Sequence, residues 1–222
     1  MLGFLRKFDR RRSILSYSKV QSLIGSAIRN KQAFARIKSP GCYLDLGCGP
    51  NTDPDFCNLD YNWRPDIDVC WDVTKRLPFP DRHISGIFTE HMIEHVPFDA
   101  ALNLLKECRR ILRPGGVLRI VVPDGELYLA EYAKHHAGQK CEIPYAENDQ
   151  DRFSFVTPMI SVNRIFRSHG HLFMWDFETF NTALHMAGFT NVDRRSFGEG
   201  ADPRLLRDAA DRRIESLYLE AT

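Results

Sequence analysis

The 222-residue sequence lacks any apolar run of about eighteen residues, so it offers no helical segment long enough to span a membrane. Its first fifteen residues are interrupted by Lys and Arg and have no continuous apolar stretch, which argues against a secretory signal. Internal repeats and low-complexity tracts are absent as well. With 43% apolar and 27% charged residues, the composition excludes a mainly disordered or collagen-like chain and predicts one folded domain with attachments.

Cysteine is sparse, and the six cysteines contain no Cys-x-x-Cys pair. This usage is typical of reduced thiols in a reducing compartment, so we expect a cytoplasmic location. The spacing of the first four cysteines matches no zinc ribbon. Neither His135-His136 nor His169-x-His171 has a cysteine or carboxylate at ligand spacing beside it. The sequence therefore predicts no metal site.

The net charge is only +1, but the charge is unevenly distributed. Residues 1–40 hold ten basic residues and one acidic residue, whereas the remainder holds twenty basic and twenty-eight acidic residues. We therefore expect a basic N-terminal helical arm over residues 1–40 and a folded domain over residues 41–222.

Several interpretations of the arm stay open. Packing of the arm on the acidic body is favoured, and a disordered tail or an Arg-rich targeting peptide are the alternatives. Residues 1–20 also show a basic amphipathic pattern that would give weak peripheral contact with an anionic membrane at its cytoplasmic face. Nucleic acid is not an expected partner, because no recognition motif accompanies the basic charge.

Short apolar runs separated by turn residues predict alternating strands and helices. Strands are predicted at residues 42–46, 56–59, 67–71, 85–89, 117–122, 192–197 and 214–221. Helices are predicted at residues 98–112, 126–136 and 176–187. Residues 138–175 show no clear periodicity and are too long for an ordinary connection, so we expect an inserted cap there. The pattern indicates an α/β protein.

A glycine loop, Leu44-Asp45-Leu46-Gly47-Cys48-Gly49-Pro50, directly follows the first predicted strand. Glycine at such a place lets the backbone turn tightly and approach a ligand. The dinucleotide fingerprint requires a third glycine where this chain has Thr52, and an acid about twenty residues further on. Here Asp60 follows Gly49 by eleven residues, so a nicotinamide-type site is disfavoured.

Six sequence blocks within residues 42–124 follow one another in the order that a known family shows. They are the glycine loop, Asp60, Asp72, Leu77-Pro78-Phe79-Pro80-Asp81, Glu90-His91-Met92-Ile93-Glu94-His95-Val96 and Leu112-Arg113-Pro114-Gly115-Gly116. Together they resemble the class I S-adenosylmethionine-dependent methyltransferases of the broad type 11 kind. The resemblance implies a Rossmann-like α/β fold: a seven-stranded, mainly parallel sheet with helices on both faces and an antiparallel last strand. Residues 50–56 are too short for the usual helix between the first two strands, so the chain is similar to a shortened subgroup.

The resemblance implies that S-adenosylmethionine is the cofactor. The cofactor-binding residues that it implies are Asp45, Gly47, Gly49, Asp60, Asp72, Val73, Thr89 and Glu90. Asp60 would accept hydrogen bonds from both ribose hydroxyls, which suits a carboxylate because it is an acceptor only. For Asp72, a role as a turn or capping residue is the alternative.

Methyl transfer from a sulfonium is an in-line displacement, in which the protein supplies alignment, desolvation and sometimes a base. His91 and Glu90, at the predicted cofactor rim, are the candidate catalytic residues. The cap mixes arginines with aromatic residues, which predicts a lid that grips a sugar, ring or anionic acceptor. Its candidate substrate-binding residues are Arg164, Phe166 and His171.

We therefore expect a methyltransferase that acts on a small-molecule or glycan-type acceptor. Two rival interpretations stay open. One is a module that binds S-adenosylmethionine but has lost catalysis. The other, which the glycine-loop spacing disfavours, is an NAD-type nucleotide-binding enzyme.

Overall fold

The computed structural model describes Leu23, Ala27, Asn30 and residues 41–222 apart from Trp63 and Pro65. The strands of this part of the chain are β1 (Tyr43–Leu46), β2 (Phe56–Asp60), β3 (Val69–Cys70), β4 (Ile84–Glu90), β5 (Leu112–Pro123), β6 (Val192–Arg195) and β7 (Ser216–Ala221). The α-helices are α1 (Phe98–Ile111), α2 (Gly125–His136), α3 (Ala146–Phe153), α4 (Pro158–Arg167) and α5 (Phe177–Ala187).

The strands form one sheet in the order β3-β2-β1-β4-β5-β7-β6. Strands β1 to β5 pair in parallel, whereas β7 runs antiparallel to both β5 and β6. The prediction of a seven-stranded, mainly parallel sheet with an antiparallel last strand is confirmed. The carboxyl ends of β1, β2 and β4 meet at one edge, where an α/β sheet places its ligand site.

The main core lies on the face of the sheet that α1 and α5 cover. Alternate residues of each strand point to this face, so β1 contributes Leu44 and Leu46. The buried residues of α1 recur at three- and four-residue steps and therefore form one apolar stripe; they are Ala101, Leu104, Leu105, Cys108 and Ile111. The prediction of this helix as the crossover between β4 and β5 is confirmed.

The opposite face of the sheet packs against residues 196–215, the connection between β6 and β7. Its fully buried Leu205 packs with Phe56, Phe88 and Tyr218 in a second apolar cluster. On this same face, the fully buried guanidinium of Arg119 binds the Asp208 carboxylate at 2.7 Å. The sequence analysis predicts no helix or strand between residues 198 and 213, yet this stretch holds part of the core.

The predicted cap contains two helices, α3 and α4, that the sequence analysis does not identify. Thr157 caps helix α4, because its side chain accepts a hydrogen bond from the backbone N–H of Ile160, and Pro158 is the first residue of the helix. Its buried residues are Ser161 and Ile165. The apolar residues of α4 fall on one face, so the prediction that residues 138–175 lack clear periodicity is wrong for this helix.

The predicted basic arm over residues 1–40 lies outside the described residues, except for three helical positions. One of them, Asn30, is buried, and its side-chain amide donates to the Cys70 carbonyl at 3.1 Å and accepts from the Cys70 N–H at 3.0 Å. Cys70 belongs to β3, an outer strand of the sheet, so Asn30 pairs backbone groups that the sheet leaves open. None of the described helices is long and apolar enough to cross a membrane.

Candidate active site

The glycine loop after β1 adopts a conformation that its glycines make possible. Gly47 has a φ of +79°, and a Cβ added there would lie 2.2 Å from the Met92 side chain. Gly49 has a φ of +56°, but a Cβ there would meet nothing within 4 Å. Gly47 therefore allows close packing against the segment after β4, while Gly49 faces open space.

Asp60, at the end of β2, holds this loop in place. One carboxylate oxygen accepts a hydrogen bond from the Gly49 N–H at 2.9 Å, and the other accepts from the Asn62 N–H at 2.7 Å. Each carboxylate oxygen has a second lone pair, so both oxygens keep the capacity to accept a further O–H donor.

A cavity of about 460 Å³ opens at this edge of the sheet. It is lined by Gly47, Gly49, Asp60, Tyr61, Asn62, Arg64, Asp72, Val73, Thr74, His91, Met92, His95 and Val96. We call it the cofactor cavity. Five of the eight residues predicted to bind the cofactor line it, namely Gly47, Gly49, Asp60, Asp72 and Val73.

Asp72 also caps the turn that follows β3. Its Oδ1 accepts hydrogen bonds from the Thr74 N–H at 3.1 Å and from the Thr74 hydroxyl at 2.6 Å. Asp72 therefore caps the turn, as the alternative interpretation expects, and it also lines the cofactor cavity.

Arg64 lines the same cavity, and its Nη1 is buried without a hydrogen-bond partner among the described residues. Nothing in the local sequence pattern pointed to Arg64.

The other three predicted cofactor residues, Asp45, Thr89 and Glu90, do not line the cofactor cavity. The Asp45 carboxylate is bound by the Arg207 guanidinium at 2.7 Å, and burial raises the pKa of Asp45 to about 6. One oxygen of Glu90 accepts from the Ala209 N–H at 2.8 Å, and burial raises its pKa. Thr89 is almost fully buried.

A second cavity, of about 530 Å³, lies beside the first one. It is lined by His91, Glu94, His95, Tyr145, Asn148, Asp149, Arg152, Arg164, Ile165, His169, His171, Asp211, Arg212 and Glu215. Because cap residues form much of its wall, we call it the cap cavity. Of the predicted substrate-binding residues, Arg164 and His171 line it and Phe166 does not.

Arg164 holds the cap together. Its Nε lies 3.0 Å from the buried Asp149 carboxylate of α3, and its Nη2 donates to the Pro144 carbonyl at 2.6 Å. Its guanidinium also lies over the rings of Tyr128 and Tyr145. Arg164 is thus already paired within the protein, and it presents only part of its surface to the cap cavity.

His91 lies between the two cavities and lines both of them. Its Nδ1 is 3.0 Å from an Arg212 nitrogen, which can only donate, and its Nε2 is 2.9 Å from the Ser216 hydroxyl. Burial and the Arg212 charge lower the pKa of His91 to about 3. The assignment of His91 as a base stays a prediction. In this arrangement the ring must release Arg212 before Nδ1 can accept a proton.

A seven-stranded, mainly parallel sheet with a glycine loop and strand-end acids around one cavity defines a Rossmann-like methyltransferase fold. The methyltransferase domain family model matches residues 19–194, which is most of the chain. The chain therefore belongs to the methyltransferase domain family, whose cofactor is S-adenosylmethionine. The resemblance and the cofactor predicted from the sequence are confirmed.

One curated relative is a protein of Mycolicibacterium smegmatis named "Probable S-adenosylmethionine-dependent methyltransferase", which is 30% identical over 98 residues. The match covers 36% of this chain and 37% of the relative, so the chain spans little more than a third of that protein.

Two solved structures are similar to this chain, and the first of them shows the similarity in fold. A SAM-dependent methyltransferase from Archaeoglobus fulgidus has a TM-score of 0.50 at 17% identity, over 90% of this chain and 93% of that one. The Burkholderia thailandensis 1,6-didemethyltoxoflavin-N1-methyltransferase has a TM-score of 0.49 at 18% identity, over 99% of this chain and 84% of that one. Neither similarity bears on which acceptor this chain uses.

Proposed function

We propose that this chain transfers a methyl group from S-adenosylmethionine, bound in the cofactor cavity, to a small-molecule or glycan-type acceptor bound in the cap cavity. The observation that carries the proposal is the adjacency of the two cavities, which share His91 and His95 in their walls. In-line displacement requires the acceptor atom to lie next to the transferred methyl group, in a site that excludes water.

The residues of the cofactor cavity suit S-adenosylmethionine chemically. Asp60 keeps acceptor capacity on both oxygens for the ribose hydroxyls, as described above. Val73, Met92 and Val96 supply an apolar wall of the kind that an adenine ring packs against. The open space beside Gly49 lets a ligand approach the loop backbone. Asp45 and Glu90 would act from behind this lining, through their contacts with Arg207 and Ala209. The Thr89 hydroxyl has no hydrogen-bond partner among the described residues.

The composition of the cap cavity favours a polar acceptor. Its wall is rich in histidine, arginine and carboxylate side chains, and Ile165 is its one aliphatic residue among those described. Charged and hydroxyl-bearing molecules satisfy such groups, whereas a purely apolar ring would leave them desolvated and unpaired. A volume of about 530 Å³ falls within the usual range for a small-molecule site. A monosaccharide unit or another hydroxylated or anionic small molecule fits these conditions.

Calorimetric titration separates the proposal from the NAD-type interpretation. We expect the full chain to bind S-adenosylmethionine and S-adenosylhomocysteine and to give no heat with NAD. Preferential NAD binding would overturn the proposed cofactor site.

Turnover separates the proposal from an inactive binding module. The full chain is incubated with S-adenosylmethionine and pooled acceptors, and products that gain one methyl group are identified by mass spectrometry. We expect methylated hydroxyl-rich or anionic acceptors, together with release of S-adenosylhomocysteine. Cofactor binding without turnover on such pools, while a known methyltransferase is active under the same conditions, would favour the inactive module.

A further inference from the structure

Glu94 is a fully buried carboxylate in the short turn after β4. Neither of its oxygens has a hydrogen-bond partner among the described residues. The closest basic atoms are His91 Nδ1 at 3.5 Å and His95 Nε2 at 3.9 Å, both too far for a good hydrogen bond. Burial of a carboxylate in this state is costly unless a proton or a cation neutralises it.

Two histidine rings present ligand atoms to this carboxylate. The ligand atoms of Glu94, His95 and His171 all lie within 4.8 Å of one another. Nδ1 of His171 is 2.6 Å from the Ile165 carbonyl oxygen, so this nitrogen carries a proton and Nε2 keeps its lone pair. The Nε2 of His95 is the nitrogen that faces Glu94.

Metal-binding histidines are commonly oriented in this way, by a hydrogen bond from the second ring nitrogen to a backbone carbonyl or carboxylate. The sequence analysis predicts no metal site because no carboxylate stands beside His169-x-His171 in the chain. In the folded protein, Glu94 from the turn after β4 supplies that carboxylate.

We propose that Glu94, His95 and His171 bind a divalent transition-metal ion, with zinc as the best match, in the wall of the cap cavity. Two histidine nitrogens and one carboxylate oxygen form the protein ligand set of known catalytic zinc sites, which keep a fourth position open. Tetrahedral bonds of about 2.1 Å place ligand atoms roughly 3.4 Å apart. The 3.9 Å between His95 Nε2 and Glu94 Oε1 is close to that spacing.

The open coordination position faces the cap cavity, because all three ligand residues line it. A hydroxyl or amine of the acceptor would bind there, and the ion would favour loss of its proton. This role toward the acceptor rests on the proposed function, whereas metal binding itself does not. Arg212 adds a positive charge on the same wall, and Asp211 and Glu215 offset it.

The competing interpretation is a protonated Glu94 that only braces the turn. To separate the two, the full chain without a histidine tag is treated with a chelator, dialysed and titrated with zinc chloride. Zinc binding is measured by calorimetry and by metal content after equilibrium dialysis. The variants are Glu94→Gln and His171→Ala, and the matched control is His169→Asn. His169 lines the same cavity and has a φ of +60°, which asparagine tolerates, but it is not one of the three ligands.

We expect one zinc ion per wild-type chain and the same affinity in His169→Asn. Both ligand variants should lose more than about 100-fold in affinity, since changes to residues that only orient metal ligands already cost 10–100-fold. Zinc should also raise the unfolding temperature of the wild type and not that of His171→Ala. If Glu94→Gln does not fold, as judged by circular dichroism, His171→Ala decides, because its ring is only partly buried.

Wild-type protein that binds no more zinc than His171→Ala would overturn the metal site. Equal losses in His169→Asn and His171→Ala would do the same, because they would indicate nonspecific binding. Titration of the same samples with S-adenosylhomocysteine distinguishes a failed metal-site proposal from a failed methyltransferase proposal. Retained cofactor binding without specific zinc binding would leave the methyltransferase proposal standing.

Discussion

The Arg207 guanidinium binds the Asp45 carboxylate at 2.7 Å, across 162 positions of sequence. The same guanidinium lies 4.4 Å from the centre of the Phe56 ring and reaches Asp53 at 3.2 Å. Residues 196–215 therefore do more than cover the second face of the sheet. They fix the strand that leads into the glycine loop, where the sequence predicts that a helix is missing.

The burial of the Asp45 carboxyl predicts a pH effect on the stability of the folded protein. Burial raises the pKa of Asp45 to about 6, although Arg207 opposes the shift. As the pH rises from about 4 to about 6, the unfolded chain releases this proton while the folded chain retains it, so the folded state loses stability. Relative to Asp45→Asn, the wild type should lose up to about 3 kcal/mol over this range and change little above pH 7.

Urea unfolding of both proteins at pH 4, 5, 6 and 7 measures this difference. Asp55→Asn, a change of an exposed acid in the neighbouring loop, is the control: it retains Asp45 and should lose stability over this pH range as the wild type does. A wild-type minus Asp45→Asn difference that stays constant with pH would contradict the prediction.

Asp60→Ala should weaken cofactor binding. Hydrogen bonds to a charged group contribute about 1.5–3 kcal/mol each, so loss of even one ribose contact predicts a dissociation constant at least about tenfold higher. Titration with S-adenosylhomocysteine measures it, and Asp55→Ala is the matched control. An unchanged dissociation constant in a folded Asp60→Ala protein would refute the assignment.

The two loop glycines should respond differently to alanine. Gly47→Ala combines a positive φ with a Cβ only 2.2 Å from Met92, whereas Gly49→Ala meets no atom within 4 Å. A left-handed conformation alone costs roughly 1–2 kcal/mol for a non-glycine residue. Thermal unfolding should therefore show a larger loss for Gly47→Ala, and equal losses would argue against the Met92 contact.

Arg164→Ala should destabilise the cap and lower turnover while it leaves affinity for S-adenosylhomocysteine unchanged. Removal of one partner of a buried ion pair costs about 3–5 kcal/mol, because the other charge stays buried. The double variant Arg164→Ala with Asp149→Asn should recover part of this loss. Arg167→Ala, an exposed change on the same helix, is the control. Loss of cofactor binding in a folded Arg164→Ala protein would show that the cap has been misassigned.

Phe166→Ala is a weaker test of the acceptor prediction. Phe166 does not line the cap cavity, so any fall in turnover would act through the position of α4. His171 and Arg164 remain the predicted residues that contact the cavity directly.

The sequence by itself determined the strands β1, β2 and β4, the helix α1 and the identity of the loops that surround the cofactor cavity. These features rest on local rules: a buried strand is a short apolar run, a helix repeats every three to four residues, and glycine permits a tight loop. Local rules place Gly47, Gly49 and Asp60 at strand ends, and the resemblance to the methyltransferase family is what assigned them to the cofactor site.

Only the tertiary structure decided which distant side chains meet. Arg207 reaches Asp45, Asp208 pairs with the buried Arg119, and His171 approaches Glu94 from a segment without clear periodicity. Arg119 is fully buried within β5, and the sequence analysis identified neither its burial nor its partners. Such pairs depend on chain connections that carry no repeating pattern, so their geometry arises only when the cap and the connection over residues 196–215 pack against the sheet.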